Sequence, residues 1–151
     1  MKLSVFSTAL FTIAVSGCSA PIDFPESADA RPGQNLVSPS AAGSLFAEVC
    51  LRTAPSFQTA LQVISDAPYV KNSETDVYYH KFDNLSFKVG EYGCSMVFRS
   101  DLSIDQTLSG MANGTVQVAN RWNIEVPRNI DVTSRPSADG NGRLYTIGLP
   151  R

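Results

Sequence analysis

The chain has 151 residues, with 12 lysines and arginines against 14 aspartates and glutamates and a formal net charge of −2 at pH 7. This length accommodates one domain and is short for two. The near-neutral charge excludes the basic field that nucleic-acid-binding proteins carry, so we expect no nucleic-acid partner. One histidine and three cysteines leave few side chains for metal or nucleophilic chemistry.

The first seventeen residues have the composition of a secretory leader. Lys2 supplies a positive charge, and residues 3–15 are apolar apart from serine and threonine. This stretch is shorter than the about twenty residues that a membrane-spanning helix needs. We therefore predict a signal peptide at residues 1–17.

The residues at 15–18 read Val-Ser-Gly-Cys. They resemble the lipobox of bacterial lipoproteins, in which an aliphatic residue and two small residues precede a cysteine. The resemblance implies cleavage by type II signal peptidase before Cys18 and attachment of acyl chains such as palmitate, which hold the protein on a membrane. In lipoproteins of Gram-negative bacteria, Ser19 after the cysteine implies delivery to the outer membrane, facing the periplasm. The alternative is ordinary cleavage after Ala20, although Pro21 would then obstruct the cut.

Two cysteines, Cys50 and Cys94, remain in the exported part of the chain. An even pair in an oxidising compartment predicts a disulfide. Closing a loop of about 45 residues stabilises a domain by about 4 kcal/mol in the chain-entropy model. The alternative is a pair of reduced, buried thiols.

Residues 18–42 contain four prolines among serine, alanine, glycine and acidic residues, and they show no apolar period. Such a segment cannot bury enough surface to offset the entropy of ordering it. We predict a lipidated N-terminus and flexible tether at 18–42, followed by one globular domain at 43–151.

The start of this domain has the spacing of a helix pair. In the first helix Leu45, Phe46, Val49 and Cys50 share one face, and the second begins at Pro55 and places Phe57, Ala60, Leu61 and Ile64 on one face. Because Cys50 belongs to the apolar face, a disulfide to Cys94 would fix the first helix onto the rest of the core.

Alternating residues then predict strands. Residues 75–82 form the first strand, with Asp83-Asn84 as a turn, and residues 85–89 form the second. In the third strand Cys94, Met96 and Phe98 point inward, so Cys94 has the parity of the buried face. The outward positions of this strand are polar except for Val97.

The last third of the chain begins with a capping box at 103–106 that predicts a short helix, ending at Asn113-Gly114. Residues 116–126 fit strands or a helix, 134–142 form a loop, and Tyr145, Ile147 and Leu149 alternate in a final strand. The predicted class is α+β, with an N-terminal helix pair and a short later helix on one face of an antiparallel sheet of about four to five strands.

Few residues favour catalysis. His80 is the one histidine, with Asp76, Asp83 and Ser86 near it in sequence, but no strained turn presents a nucleophile. Single carboxylates at Glu48, Glu74, Glu91 and Glu125 are typical of surface charges, and the loop at 139–142 lacks the ligands of a calcium site. We expect no cofactor and no metal site.

Aromatic residues around the first strands favour binding instead. Tyr78 and Tyr79 are adjacent to His80, and we predict a contact patch there, although tyrosine also occurs in strands for propensity alone. The function predicted is non-catalytic: a membrane-anchored envelope lipoprotein that binds a protein or a cell-wall component such as peptidoglycan. The alternatives are a small periplasmic hydrolase that uses His80 and a small-ligand carrier with a pocket between helices and sheet.

Overall fold

The computed structural model describes residues 24–65 and 68–151. Its helices are α1 (Pro39–Phe46), which continues into a π-helical turn at Ala47–Leu51, α2 (Ala60–Ile64) and α3 (Ile104–Trp122). Its strands are β1 (Tyr69–Asn72), β2 (Val77–His80), β3 (Leu85–Gly90), β4 (Gly93–Ser100), β5 (Asp131–Pro136) and β6 (Arg143–Pro150). The predicted signal peptide, the lipidation site Cys18 and the first residues of the predicted tether lie outside the described residues.

The six strands form one sheet in the order β1-β2-β3-β4-β6-β5, and every neighbouring pair is antiparallel. The predicted α+β class is confirmed, although the sheet has six strands instead of four to five. Strands β1 and β5, which form the two edges, were not predicted from the sequence. Neither strand shows the strict alternation of apolar and polar residues on which the prediction depended, since β1 reads YVKN and β5 reads DVTSRP.

The helices cover one face of the sheet. Alternate residues of β3, β4 and β6 point towards them and are buried: Leu85, Phe87, Cys94, Met96, Phe98, Tyr145, Ile147 and Leu149. Cys50, in the π-helical turn, is joined to Cys94 on β4, with the two Cα atoms 5.5 Å apart. The prediction of a disulfide that fixes the first helix onto the buried face of the sheet is therefore confirmed.

Helix α3 is much longer than predicted. The capping box at its start is present, because the Ser103 hydroxyl accepts the backbone N–H of Gln106. The predicted end at Asn113-Gly114 is wrong, and the helix continues to Trp122 and ends at Asn123 in the left-handed conformation. Gly114 instead allows α3 to pack closely against α1, because a Cβ at this position would clash with the carbonyl oxygen of Ser40. Within the described residues, no helix combines the length and apolar composition that a membrane span requires.

The second predicted helix and the first predicted strand are shorter than expected. Residues 52–59 form turns, and α2 begins at Ala60 instead of Pro55. Phe57 has a φ of 54°, which interrupts a helix, yet its side chain is buried as predicted. Strand β2 covers Val77–His80, and four residues at 81–84 connect it to β3 in place of the predicted two-residue turn.

The ordered part of the chain begins before residue 43, where the sequence analysis placed the boundary. Phe24 is buried and packs edge-on against Tyr78, with ring centroids 5.0 Å apart. The following residues pair with the edge of β1, since the Ser27 N–H donates to the carbonyl of Lys71 and the Asn72 side chain donates to the carbonyl of Ala28. Backbone hydrogen bonds to β1 and the buried ring of Phe24 offset the entropy cost of ordering this segment. The composition of the segment gave no indication of these contacts.

Candidate binding surface

His80 holds the connection between β2 and β3. Its Nδ1 accepts the backbone N–H of Asp83 at 2.9 Å and lies 3.2 Å from the Asp83 carboxylate, and its ring packs edge-on against Tyr69. Ser86 is paired with Tyr79, the neighbour of His80, and so belongs to the opposite face of the sheet. Asp76 instead forms an ion pair with Lys71 at 3.1 Å. Of the residues considered for a hydrolase, only Asp83 contacts His80.

The predicted contact patch is divided between the two faces of the sheet. Tyr78 points towards the helix side, where it is buried, and desolvation raises the pKa of its phenol. Tyr79 points to the other side and is half-exposed. His80 shares the side of Tyr78, because side chains alternate along a strand. Only Tyr79 is left to contribute to a surface on the uncovered side, which we call the outer face.

The strand register defines the outer face as rows of side chains that run across the sheet. One row consists of Val70, Tyr79, Ser86, Val97, Thr146 and Thr133, from β1 to β5. A neighbouring row, from β3 to β5, consists of Lys88, Ser95, Gly148 and Asp131. The third row contains Arg99, Leu144 and Arg135. Small residues occupy the middle of the sheet, and larger ones stand on both sides of them.

This arrangement makes a trough. A depression of about 370 Å³ is lined by Tyr79 and Lys88 on one side and by Arg135 on the other, with Ser86, Ser95 and Val97 between them. Arg31 and Pro32 of the N-terminal segment form part of its wall. A second depression of about 340 Å³ shares Lys88 and Ser95 and extends towards the turn between β3 and β4. The outer face can therefore hold an extended molecule across several strands.

The trough is positively charged although the whole chain is slightly acidic. In the described part of the chain, Arg31, Lys88 and Arg135 take part in no ion pair. Arg99 is paired with Asp139 at 2.8 Å. The Asp139 pKa lies below its usual value, first because the Ser137 hydroxyl and the Asn141 N–H bind the carboxylate and then because Arg99 lies beside it. Lysine and arginine without partners are suited to carboxylate and phosphate groups.

The remaining carboxylates that were considered for catalysis lie apart from one another. Glu48 is on the helix side, where it accepts the indole N–H of Trp122 at 3.1 Å and pairs with Arg52 at 3.0 Å. Glu74, Glu91 and Glu125 are exposed and lie in three different connections. Among the residues that the structure describes, no group of three histidines, cysteines or carboxylates could hold a metal ion.

A different depression lies on the helix side. It encloses about 310 Å³ between α3 and β5, and its lining is mostly apolar, including Leu108, Met111, Val116, Val126 and Val132. This is the position between helices and sheet that the small-ligand alternative requires. It is open along the β5 edge of the sheet, because all six residues of β5 are exposed.

The sequence analysis missed Arg31, Lys88, Arg135 and Ser95 as members of one surface. The alternation of β3 and β4 already placed Lys88 and Ser95 on the outward side, but only the register of three strands brings them beside Tyr79. Arg31 was assigned to the tether, and Arg135 to a loop. Such long-range neighbours leave no signal in a local pattern.

Comparisons with known proteins identify no relative: no family model, no curated protein and no solved structure matches this chain.

Proposed function

We propose that this chain is a membrane-anchored envelope lipoprotein that binds an anionic cell-wall component, such as peptidoglycan, on the outer face of its sheet without catalysing a reaction. The observation that carries this proposal is the trough itself. Tyr79 stands beside Lys88 and Arg31, and Arg135 lies across a floor of serine and valine side chains. An acyl chain on Cys18, followed by a short link to Phe24, would hold this face near the outer membrane and the cell wall.

The chemistry of the trough fits a glycopeptide polymer. Peptidoglycan carries free carboxylates on its stem peptides, and these can pair with the lysine and arginine groups. A tyrosine ring offers a flat apolar surface for a sugar ring and a hydroxyl for hydrogen bonds. The small side chains at Ser86, Ser95 and Gly148 let a chain lie close to the backbone, and a Cβ at Gly148 would meet no atom within 4 Å.

A non-catalytic role is proposed because His80 is engaged elsewhere. Its Nδ1 binds the Asp83 amide, and its ring is on the side of the sheet opposite Tyr79 and Ser86. The trough itself is lined by three cations, one phenol, and small, apolar and amide side chains, with no carboxylate among these described residues. These groups can bind a charged polymer, and they include no paired carboxylates of the kind that cleave glycosidic bonds.

Co-sedimentation tests this proposal. The full chain is expressed with its own leader in a Gram-negative host, extracted in detergent and sedimented with purified peptidoglycan sacculi. We expect Lys88→Glu combined with Arg31→Glu to reduce the bound fraction by about tenfold, because two attractive contacts become repulsive. Tyr79→Ala should reduce it by a smaller factor, and binding should weaken as salt is raised.

Two further variants test whether a loss of binding is specific to the trough residues or follows from any change in charge or any loss of an exposed tyrosine. Arg121→Glu makes the same change in charge per residue at the end of α3, and Tyr92→Ala removes a tyrosine that is 85% exposed at the turn between β3 and β4. Arg121→Glu should bind sacculi like the unmodified chain, whereas Tyr92→Ala, which changes the lining of the second depression, should weaken binding less than Tyr79→Ala does. Equal loss in Arg121→Glu and the outer-face variants, or no binding by the unmodified chain, would overturn the proposal. If the chain does not bind sacculi but cross-linking in cells captures one envelope protein, the ligand is a protein and not the cell wall.

A further inference from the structure

Strand β5 leaves one edge of the sheet open. All six of its residues are exposed, and among the described residues it pairs only with β6. The opposite edge differs, because the segment that begins at Phe24 runs along β1 and bonds with it. An uncovered edge presents backbone N–H and C=O groups that can pair with another strand.

The outer-face residues of β5 are complementary to themselves. Asp131, Thr133 and Arg135 alternate along the strand, and neither charged side chain forms an ion pair within the described residues. Four residues of extended chain separate Asp131 from Arg135 by about 13 Å, so they cannot pair within one copy. In an antiparallel pairing centred on Thr133, Asp131 of each copy lies opposite Arg135 of the other.

This register also suits the helix side of the molecule. It keeps the helices of both copies on the same side of the joined sheet, whereas a shift by one residue would place them on opposite sides. A shift by two residues would leave both charges without an opposite partner. The apolar depression beside β5 exposes Leu108, Val116 and Val132, which are 39%, 46% and 41% accessible. In the centred register Val132, at the edge of this depression, lies diagonal to Val132 of the second copy.

We propose that two copies of this chain associate through β5 about a two-fold axis at Thr133, with paired Asp131 and Arg135 side chains on the outer face and the α3–β5 depressions covering each other. The sheet then continues through both copies, and the two outer faces lie side by side. This inference does not depend on the proposed cell-wall ligand. If the chain remained single, only the charged side chains of β5 and Pro136 would protect this edge from pairing with other strands.

Cysteine cross-linking in intact cells tests the pairing on the full chain. Opposite residues of an antiparallel pair have Cβ atoms about 5 Å apart, so Thr133→Cys should form a disulfide-linked dimer that is lost on reduction. Thr146→Cys is the matched control, because Thr146 lies directly beside Thr133 on β6 and faces the same side. The two Thr146 positions would be three strand spacings apart, about 14 Å, and should not cross-link.

Charge reversal distinguishes a disulfide formed in this register from one formed when two copies collide at random. In the Thr133→Cys background, Asp131→Arg or Arg135→Asp should lower the dimer yield by about fivefold, and the two changes together should restore it. Absence of the dimer in a folded Thr133→Cys protein, shown by an intact bond between Cys50 and Cys94, would overturn the proposal. Equal yields from Thr133→Cys and Thr146→Cys would overturn it too, as would failure of the combined reversal to restore the yield.

Discussion

The two faces of the sheet are built from different kinds of residue. On the helix side, the central strands present Phe87, Met96, Phe98 and Tyr145, all fully buried. On the outer side, the same strands present Ser86, Ser95, Thr146 and Gly148 between exposed cations. The helix side makes contacts with the rest of the chain, whereas on the outer side Arg31, Lys88 and Arg135 form no ion pair within the described residues.

This difference separates residues that determine the fold from residues that can determine binding. A buried face tolerates little change in volume, because the packed neighbours cannot move far. An open face tolerates substitution without loss of stability, so its composition is free to suit a ligand. We therefore expect changes on the helix side to affect unfolding and changes on the outer face to affect binding.

The largest effect on stability is expected from the disulfide. Cys50 and Cys94 are 44 residues apart, so replacing both with serine should lower the free energy of unfolding by about 4 kcal/mol in the chain-entropy model. Urea denaturation of the unmodified chain and the double variant measures this difference. Ser95→Ala, next to Cys94 but on the outer face, is the control and should change stability by less than about 0.5 kcal/mol. A loss below about 1 kcal/mol in the double variant would mean that packing alone holds the helix on the sheet.

Two glycines offer a matched comparison of the faces. Gly114 touches α1 so closely that Gly114→Ala should lower the free energy of unfolding by about 2 kcal/mol, even though alanine favours helices. Gly148→Ala adds a methyl group to open space on the outer face and should raise stability by up to about 1 kcal/mol, because glycine weakens a strand. Thermal unfolding followed by circular dichroism compares the two variants. Equal destabilisation by both would contradict the division between the faces.

The smallest effect is expected at the outer-face ion pair. The folded-state pKa of Asp139 is lowered by Ser137, Asn141 and Arg99, so its contribution to stability is present above the ordinary pKa of a carboxyl group and is lost as the pH falls through the lowered value. Asp139→Asn should therefore be slightly less stable than the unmodified chain near neutral pH, and the two should converge as the pH falls through the lowered pKa of Asp139. Unfolding midpoints measured across this range check the sign. A difference that grows on acidification would contradict it.

Local patterns in the sequence were sufficient for much of the helix side. The alternation of Cys94, Met96 and Phe98 identified the buried face of β4, and the capping box located the start of α3. The disulfide was predicted from the even pair of cysteines in an exported chain, and the parity of Cys94 and the helical position of Cys50 agreed with it. These features depend on residues near one another in the chain, where spacing alone reveals which face a side chain occupies.

Long-range packing explains the errors. Gly114 indicated the end of a helix when considered alone, but its meaning is set by Ser40, more than seventy residues earlier. Strand β5 has no buried residue, so its sequence carries no apolar signal, and it is held by pairing with β6. The trough depends on the register of β2, β3, β4, β6 and β5 together. No window of sequence contains that information.

The outer face is the central claim, and nuclear magnetic resonance tests it most directly. Backbone amide signals of the folded chain are followed while soluble muropeptides are added at low ionic strength. We expect shifts that saturate at Tyr79, Lys88 and Ser95 and leave the buried residues of α3, such as Val118, little changed. Saturable shifts confined to residues around α3, or no shifts at all, would contradict it.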